Sequence, residues 1–150
     1  MTFFTYEYEA KLDSKGRLIL PAKIKAQLPE GSSELVVRRG FEQCLILYPM
    51  VEFKRVYSRI SGLSELDPEN RKLQRSFFSG TAMVDMDASG RILIAKNMIA
   101  YAQLEKDVIL VGTGTKVEIW NPEIYEKYKI TDPEELSNLA AKHADVRPQG

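Results

Sequence analysis

Apolar and polar positions along this chain fall into two kinds of pattern, short runs of period two and longer stretches of helical period. Glu7 to Leu12 alternates in the mixed way of a half-exposed strand, and Arg17-Leu18-Ile19-Leu20 is a short β-rich run. Between them, Asp13-Ser14-Lys15-Gly16 has the chemistry of a tight turn, because Asp accepts from backbone N–H groups two residues on and Gly takes a positive φ. The pattern therefore predicts a hairpin. Pro21 suits the first turn of a helix over about Ala22 to Leu28, where its missing N–H costs nothing. Two further strands, Glu34 to Arg39 and Cys44 to Tyr48, are expected around a turn at Gly40. Farther along, Lys96 to Leu104 reads as a helix, and Val108 to Val111 and Lys116 to Trp120 read as strands around Gly112-Thr113-Gly114.

The helical period dominates elsewhere. Phe53, Val56, Tyr57 and Ile60 stand at i, i+3, i+4 and i+7, an apolar stripe that can pack within the chain or between chains. A second helix is expected from Asp67-Pro68, with Asp as N-cap, through Leu73 toward Phe77. Asn121-Pro122 opens another helical stretch containing Ile124, Tyr125 and Tyr128. Asp132-Pro133-Glu134-Glu135 reads as a capping box before Leu136 and Leu139, and Val146 to Gly150 as a frayed tail.

The chain also repeats itself. Leu12 to Pro21 returns 74 positions later as Met86 to Ala95, with Asp, Gly and Arg at the same spacing (Asp13, Gly16 and Arg17; Asp87, Gly90 and Arg91). Val36, Val37, Gly40, Leu45, Leu47 and Tyr48 return at an offset of 72 as Val108, Ile109, Gly112, Val117, Ile119 and Trp120. A longer loop at Pro29 to Ser33 accounts for the two-residue difference. Each copy, four short strands and a helix in about 45 residues, is too small to hold a large core alone. Two copies can complete each other's barrel about a pseudo-two-fold axis. The expected fold class is mainly β with short helices, α+β. The units run over 5–51 and 80–123, with a helical linker at 52–79 and a helical tail at 124–150. Duplication by itself is also compatible with a motif that serves only as turn chemistry.

Composition narrows the classes of function. Of 150 residues 44% are apolar, enough for a core without staples. One cysteine excludes an internal disulfide framework, and one histidine with one cysteine cannot supply a structural zinc site. No run approaches the roughly 20 apolar residues of a membrane span. Met1 to Glu7 has neither a basic start nor a long apolar stretch, so the expectation is a cytoplasmic protein. Twenty-one basic side chains balance twenty-one acidic ones, which speaks at first against a nucleic-acid partner. The neutrality is an average over unlike parts. Residues 1–75 carry 13 basic and 10 acidic side chains, and residues 76–150 carry 8 and 11.

The run Asp13-Ser14-Lys15-Gly16-Arg17-Leu18-Ile19-Leu20-Pro21-Ala22-Lys23, its second form Asp87-Ala88-Ser89-Gly90-Arg91-Ile92, the strand end Cys44 to Pro49 and Val117-Glu118-Ile119-Trp120-Asn121 together resemble the bacterial MraZ family. The resemblance covers the chain to about Tyr128; Ala95 stands where the first copy has Pro21, and nothing from Lys129 onward can be matched. It implies two looped-hinge units of the AbrB and SpoVT type forming a double-split β-barrel, and a nucleoid-associated transcriptional regulator, generally a repressor. It further implies a ring of about eight subunits, as closed symmetric assemblies go. The partner would be double-stranded DNA carrying direct repeats, upstream of the division and cell-wall gene cluster that includes the regulator's own gene.

Within that frame Arg17 resembles the family's DNA-contacting arginine, suited to phosphates or guanine edges; the structural alternative pairs it with Asp13 across the turn. Lys15 at the turn tip is expected to meet phosphate, and Lys11, Lys23 and Lys25 are further DNA-binding candidates, or simply solvated charges. Asp13, Gly16, Asp87, Gly90 and Arg91 are read as structural motif residues. Residues 11–25 hold Lys11, Lys15, Arg17, Lys23 and Lys25 against Asp13, a balance of +4, whereas 85–99 hold Arg91 and Lys96 against Asp85 and Asp87, a balance of zero. Duplex affinity rests largely on phosphate neutralisation, so the first hairpin is expected to contact DNA and the second to complete the barrel or a subunit interface.

No catalytic residue, metal or cofactor is expected. His143 and Cys44 lack partners at a catalytic spacing, Cys44 lies in an apolar strand, and Gly112-Thr113-Gly114 is a turn and not a phosphate loop. Tyr48 and Trp120, at matching strand ends, read as packing anchors. Two rivals stay open, an antitoxin-like module whose residues 123–150 wrap a partner, and a small hydrolase using Asp13 and Asp87.

Overall fold

Turn and cap chemistry places the elements close to where the sequence predicts them. The structure, a computed structural model, describes residues 3–30 and 32–144. Gly31, in the longer loop, and the tail at 146–150 lie outside the described residues. The first copy comprises β1 (Glu7–Lys11), β2 (Arg17–Ile19), α1 (Ala22–Ala26), β3 (Glu34–Arg39) and β4 (Leu45–Pro49). The linker forms α2 (Met50–Ser61) and α3 (Pro68–Ser79). The second copy comprises β5 (Thr81–Asp85), β6 (Arg91–Leu93), α4 (Lys96–Ala102), β7 (Asp107–Gly112) and β8 (Val117–Trp120), followed by α5 (Pro122–Glu126) and α6 (Pro133–His143). Strands with several short helices make this an α+β fold.

One expectation needs correction. The turn between Asp13 and Gly16 forms, with the Asp13 N–H donating to the Arg17 carbonyl at 2.9 Å and a single bridge between Leu12 and Leu18, but β1 and β2 do not continue as a hairpin. β1 instead runs antiparallel to β7, and β2 antiparallel to β6. Turn chemistry is local; strand partnership is decided by burial. β2 carries Leu18 and β6 carries Ile92 into the core, in register with each other, and both are fully buried. Each contributes about 1.5–3 kcal/mol of apolar burial.

The pairings follow one rule. A six-stranded sheet has the order β1-β7-β8-β4-β3-β5, and β2 with β6 makes a separate two-stranded ribbon. Exchanging the copies turns each pairing into another observed pairing: β1 with β7 becomes β5 with β3, while β4 with β8 and β2 with β6 map onto themselves. Each copy thus holds the first strand of the other.

The sheet separates two apolar layers. On one face Leu35, Val37, Leu45, Leu47, Val117 and Ile119 pack against Leu18 and Ile92 of the ribbon and Ile24 and Met98 of α1 and α4. On the other face Val36, Ile46, Tyr48 and Trp120 meet Phe53 of α2 and Phe77 of α3. β4, covered on both sides, is therefore apolar throughout. The α2 stripe turns inward: Phe53 is buried, Val56 and Ile60 lie against the same cluster, and Tyr57 stays half-exposed beside Phe78. Tyr48 and Trp120 are buried, as expected of packing anchors.

Arg38, on β3, is only 5% exposed and was not singled out by its sequence context. Its guanidinium lies 4.9, 5.5 and 5.1 Å from the ring centres of Phe41, Tyr48 and Phe77. It donates to the Tyr48 hydroxyl at 2.8 and 3.2 Å and to the Arg39 carbonyl at 3.0 Å. Among the described residues no carboxylate pairs with it, so the aromatic faces supply the compensation for its desolvation.

The C-terminal helices are capped but differ in packing. Asn121 and Asp132 each accept from the N–H two residues on, at 2.9 and 3.0 Å, and Pro follows each cap. Tyr125 of α5 donates to Glu7 at 2.6 Å and packs on Trp120. α6 buries no residue, and its Leu136 and Leu139 are 60% and 40% exposed.

Candidate functional site

The two Asp-x-x-Gly-Arg loops are built alike, bond for bond. In the first, Asp13 Oδ1 accepts from the N–H groups of Lys15 and Arg17 at 2.9 and 2.8 Å, and Oδ2 accepts from Arg17 Nε at 2.7 Å. In the second, Asp87 Oδ1 accepts from Ser89 and Arg91 at 2.9 Å each, and Oδ2 from Arg91 Nε at 2.8 Å. Gly16 and Gly90 hold φ of +84° and +78°, which the tight return of the chain requires. The structural pairing foreseen for Arg17 is thus present in both copies. It leaves the outer Nη edge of each guanidinium unclaimed among the described residues.

The hydrogen bonds also set the charge of the aspartates. The Arg17 N–H leads in holding the Asp13 carboxyl below its ordinary range, against a burial effect that raises it, with help from the Arg17 side chain and the Lys15 N–H. Asp87 is lowered in the same way, first by the Arg91 N–H. Both carboxylates stay ionised at neutral pH, which suits a pin for arginine and leaves neither as a general acid.

The loops are brought together by the ribbon between them. Arg17 lies opposite Leu93, Leu18 opposite Ile92, and Ile19 opposite Arg91. Leu18 and Ile92 point inward; Arg17, Ile19, Arg91 and Leu93 therefore share the outward face. Cross-copy backbone bonds lock the ends: Leu20 N–H donates to the Gly90 carbonyl at 3.0 Å, and Ile94 N–H to the Gly16 carbonyl at 2.8 Å.

The lysines are distributed differently from their order in the sequence. Lys15 is exposed at the tip of the first loop, and Lys23 is exposed on α1. Lys25, on the same helix, lies across the second loop: a Cβ placed on Gly90 would sit 2.6 Å from its Nζ. The equivalent Cβ on Gly16 would instead meet the Ile94 carbonyl at 2.9 Å and an Ile99 methyl at 3.4 Å. The second loop, short of basic residues in its own copy, receives a cation from the other. Lys11 forms an exposed ion pair with Asp107, its register partner on β7. Its charge is thereby locally balanced.

The remaining sequence candidates are elsewhere. Cys44 is buried beneath the sheet, and burial leads in pushing its thiol up to about 12. His143 ends α6. Among the described residues no group of three or more His, Cys, Asp and Glu side chains could hold a metal ion, and no helix is long and apolar enough to cross a membrane. Ile19 and Leu93 are exposed on the outward ribbon face, although an apolar run reads equally well as core.

Fold and loops together define a duplicated-domain protein whose copies exchange strands and present paired arginine loops on one face. The family described as "MraZ protein, putative antitoxin-like" matches the chain twice, over residues 3–76 and 77–147. The chain belongs to the MraZ family. A protein from Cytophaga hutchinsonii named transcriptional regulator MraZ is 49% identical over 144 residues, 95% of each chain. Proteins of the same name from Heliobacterium modesticaldum and Bifidobacterium longum are 37% and 39% identical over 142 residues. These alignments cover 95% of this chain and 97% and 91% of theirs, respectively.

Proposed function

We propose that this chain is a transcriptional regulator that represses by binding duplex DNA, without catalysis or cofactor, through the face built from the two loops and the β2–β6 ribbon. The observation that carries this reading is the pinning of Arg17 and Arg91 by Asp13 and Asp87 through Nε alone. An arginine so held keeps a preoriented pair of Nη donors for phosphate or the N7 and O6 of guanine. Lys15 at one loop, Lys25 at the other and Lys23 nearby supply phosphate contacts, and Lys11 contributes less because Asp107 already balances it.

In this reading the units at 5–51 and 80–123 close as a double-split barrel, with 52–79 as linker and 124–150 as tail. The operator is a set of direct repeats upstream of the division and cell-wall cluster, as the family resemblance implies. A handful of cations per chain gives weak contacts. A ring of about eight subunits, cytoplasmic and associated with the nucleoid, would convert them to avidity through effective concentration.

A salt titration of binding to DNA from upstream of the protein's own gene tests the proposal, comparing the parent with Arg17→Ala and Arg91→Ala. The slope of log affinity against log salt is expected to be negative, about −0.9 per phosphate contact. Each arginine variant is expected to bind at least about tenfold more weakly, the lower range for one charge-assisted bidentate contact. Binding that ignores both salt and the arginines overturns it.

α6 favours a second reading, in which the C-terminal segment docks a protein partner, since its Leu136 and Leu139 are uncovered. Co-purification of a small protein, lost on Leu136→Ser with Leu139→Ser, would support that reading.

A further inference from the structure

We propose that Ile19 and Leu93 are base-reading residues that contact thymine methyl groups, an inference that rests on the DNA-binding reading above. They are 53% and 59% exposed on the outward ribbon face, each closing a strand only three residues long whose middle residue, Leu18 or Ile92, is buried on the other side. Each aliphatic side chain faces an arginine across the ribbon, Ile19 opposite Arg91 and Leu93 opposite Arg17. Directly opposed residues stand about 5 Å apart at Cβ, so the face is a tight chequerboard of two cationic and two apolar groups.

Charge decides what covers that face. Asp13 and Asp87 balance the two arginines, so the surplus charge beside the face is that of Lys15, Lys23 and Lys25, and a second copy of the chain would bring the same surplus against it, with like charges facing across an apolar contact. A polyanion meets no such penalty. The major groove, about 12 Å wide, admits a two-stranded ribbon, and there guanine offers acceptors to arginine while thymine offers only its O4 and its C5 methyl. A pinned arginine beside an exposed aliphatic thus matches a guanine with a thymine close by. The exchange symmetry of β2 and β6 places this combination twice on the face.

The full-length protein would first select duplexes from a random pool, and each thymine of the selected duplex would then be replaced singly by deoxyuridine, which deletes only the methyl. At one or more positions near an arginine-contacted guanine, affinity is expected to fall about three- to tenfold, the scale of one buried methyl with its packing. Ile19→Ser or Leu93→Ser, which remove every side-chain methyl, should bind the thymine duplex at that weaker level and no longer distinguish it from the deoxyuridine duplex. Circular-dichroism melts establish that each variant is folded, and Ile19→Val, which keeps a methyl-bearing apolar surface, is expected to retain most of the discrimination. Equal binding of thymine and deoxyuridine duplexes at every position overturns the inference and leaves DNA binding intact. Failure to select any duplex overturns the reading beneath it. A change of subunit number in the serine variants, with thymine discrimination unaltered, assigns the face to contacts between copies and also overturns the inference.

Discussion

Gly16 and Gly90 occupy the same point of two nearly identical loops, yet their replacement should have different consequences. Alanine at either must adopt a left-handed backbone, at about 1–2 kcal/mol. At Gly16 the new methyl also meets a backbone oxygen that cannot swing away; at Gly90 it meets the flexible end of Lys25. Gly16→Ala should therefore cost more stability in urea titrations, about 2–4 kcal/mol against about 1–2 for Gly90→Ala. Gly90→Ala should instead show its larger effect on DNA binding, by displacing Lys25 and making the salt slope shallower by about 0.9. The aspartates add a pH dependence of definite sign. Their folded pKa lies below the unfolded value, so the stability they contribute is complete above about pH 4 and is lost as the pH falls through the folded value. The urea midpoint of the parent should drop over that acidic window, and Asp13→Asn with Asp87→Asn should flatten the drop. The loop motif and its aspartate chemistry were legible from residue type and spacing. Arg38 was not, because the rings that enclose it come from positions 41, 48 and 77, and nothing in Val36-Val37-Arg38-Arg39 announces them.

At the scale of elements, propensity and capping carried far. Asp67, Asn121 and Asp132 cap the helices that their Asp-Pro and Asn-Pro pairs foretold, and the α2 stripe faces inward at the expected spacing. Partnership of strands was hidden. A period-two pattern states which side chains share a face and is silent about which strand lies alongside, so β1 with β7 and β2 with β6 emerge only when the whole core is assembled. The ribbon is the element on which both the core and the candidate interface depend. Leu18→Ala should destabilise the protein by about 2–5 kcal/mol, as deletions of fully buried leucines do, and Ile92→Ala similarly; thermal or urea unfolding measures both. α6 lies at the other extreme. With no buried residue it is expected to exchange its amide protons far faster than β4, and Asp132→Ala should lower its helicity while changing the global unfolding free energy by no more than about 0.5 kcal/mol.

For the whole molecule, exchange of first strands makes neither copy complete. A chain ending at Gly80 would leave β1 without β7 and β4 without β8. Two such half-chains can supply each other with what β5 to β8 supply in the full chain. The expected outcome is a half-chain that is folded only as a dimer, with an unfolding midpoint that rises with concentration, whereas that of the full chain does so only as far as its own assembly stabilises it. Sedimentation with parallel circular dichroism checks this. The charge of the molecule also has to be read in three dimensions: counted along the chain, the net positive charge falls to the first loop, and folding carries Lys25 to the second.

That transfer leaves the two ends of the face similar in sign but unlike in detail, with Lys15 at one tip and Ser89 at the other. A dimer of identical halves is blind to direction and is confined to sites that read the same on both strands. If the face binds DNA as proposed, joining two halves in one chain with unlike tips gives the bound molecule a front and a back. Neighbouring molecules can then all point the same way along a duplex, which is the geometry that head-to-tail repeated boxes demand and inverted ones do not.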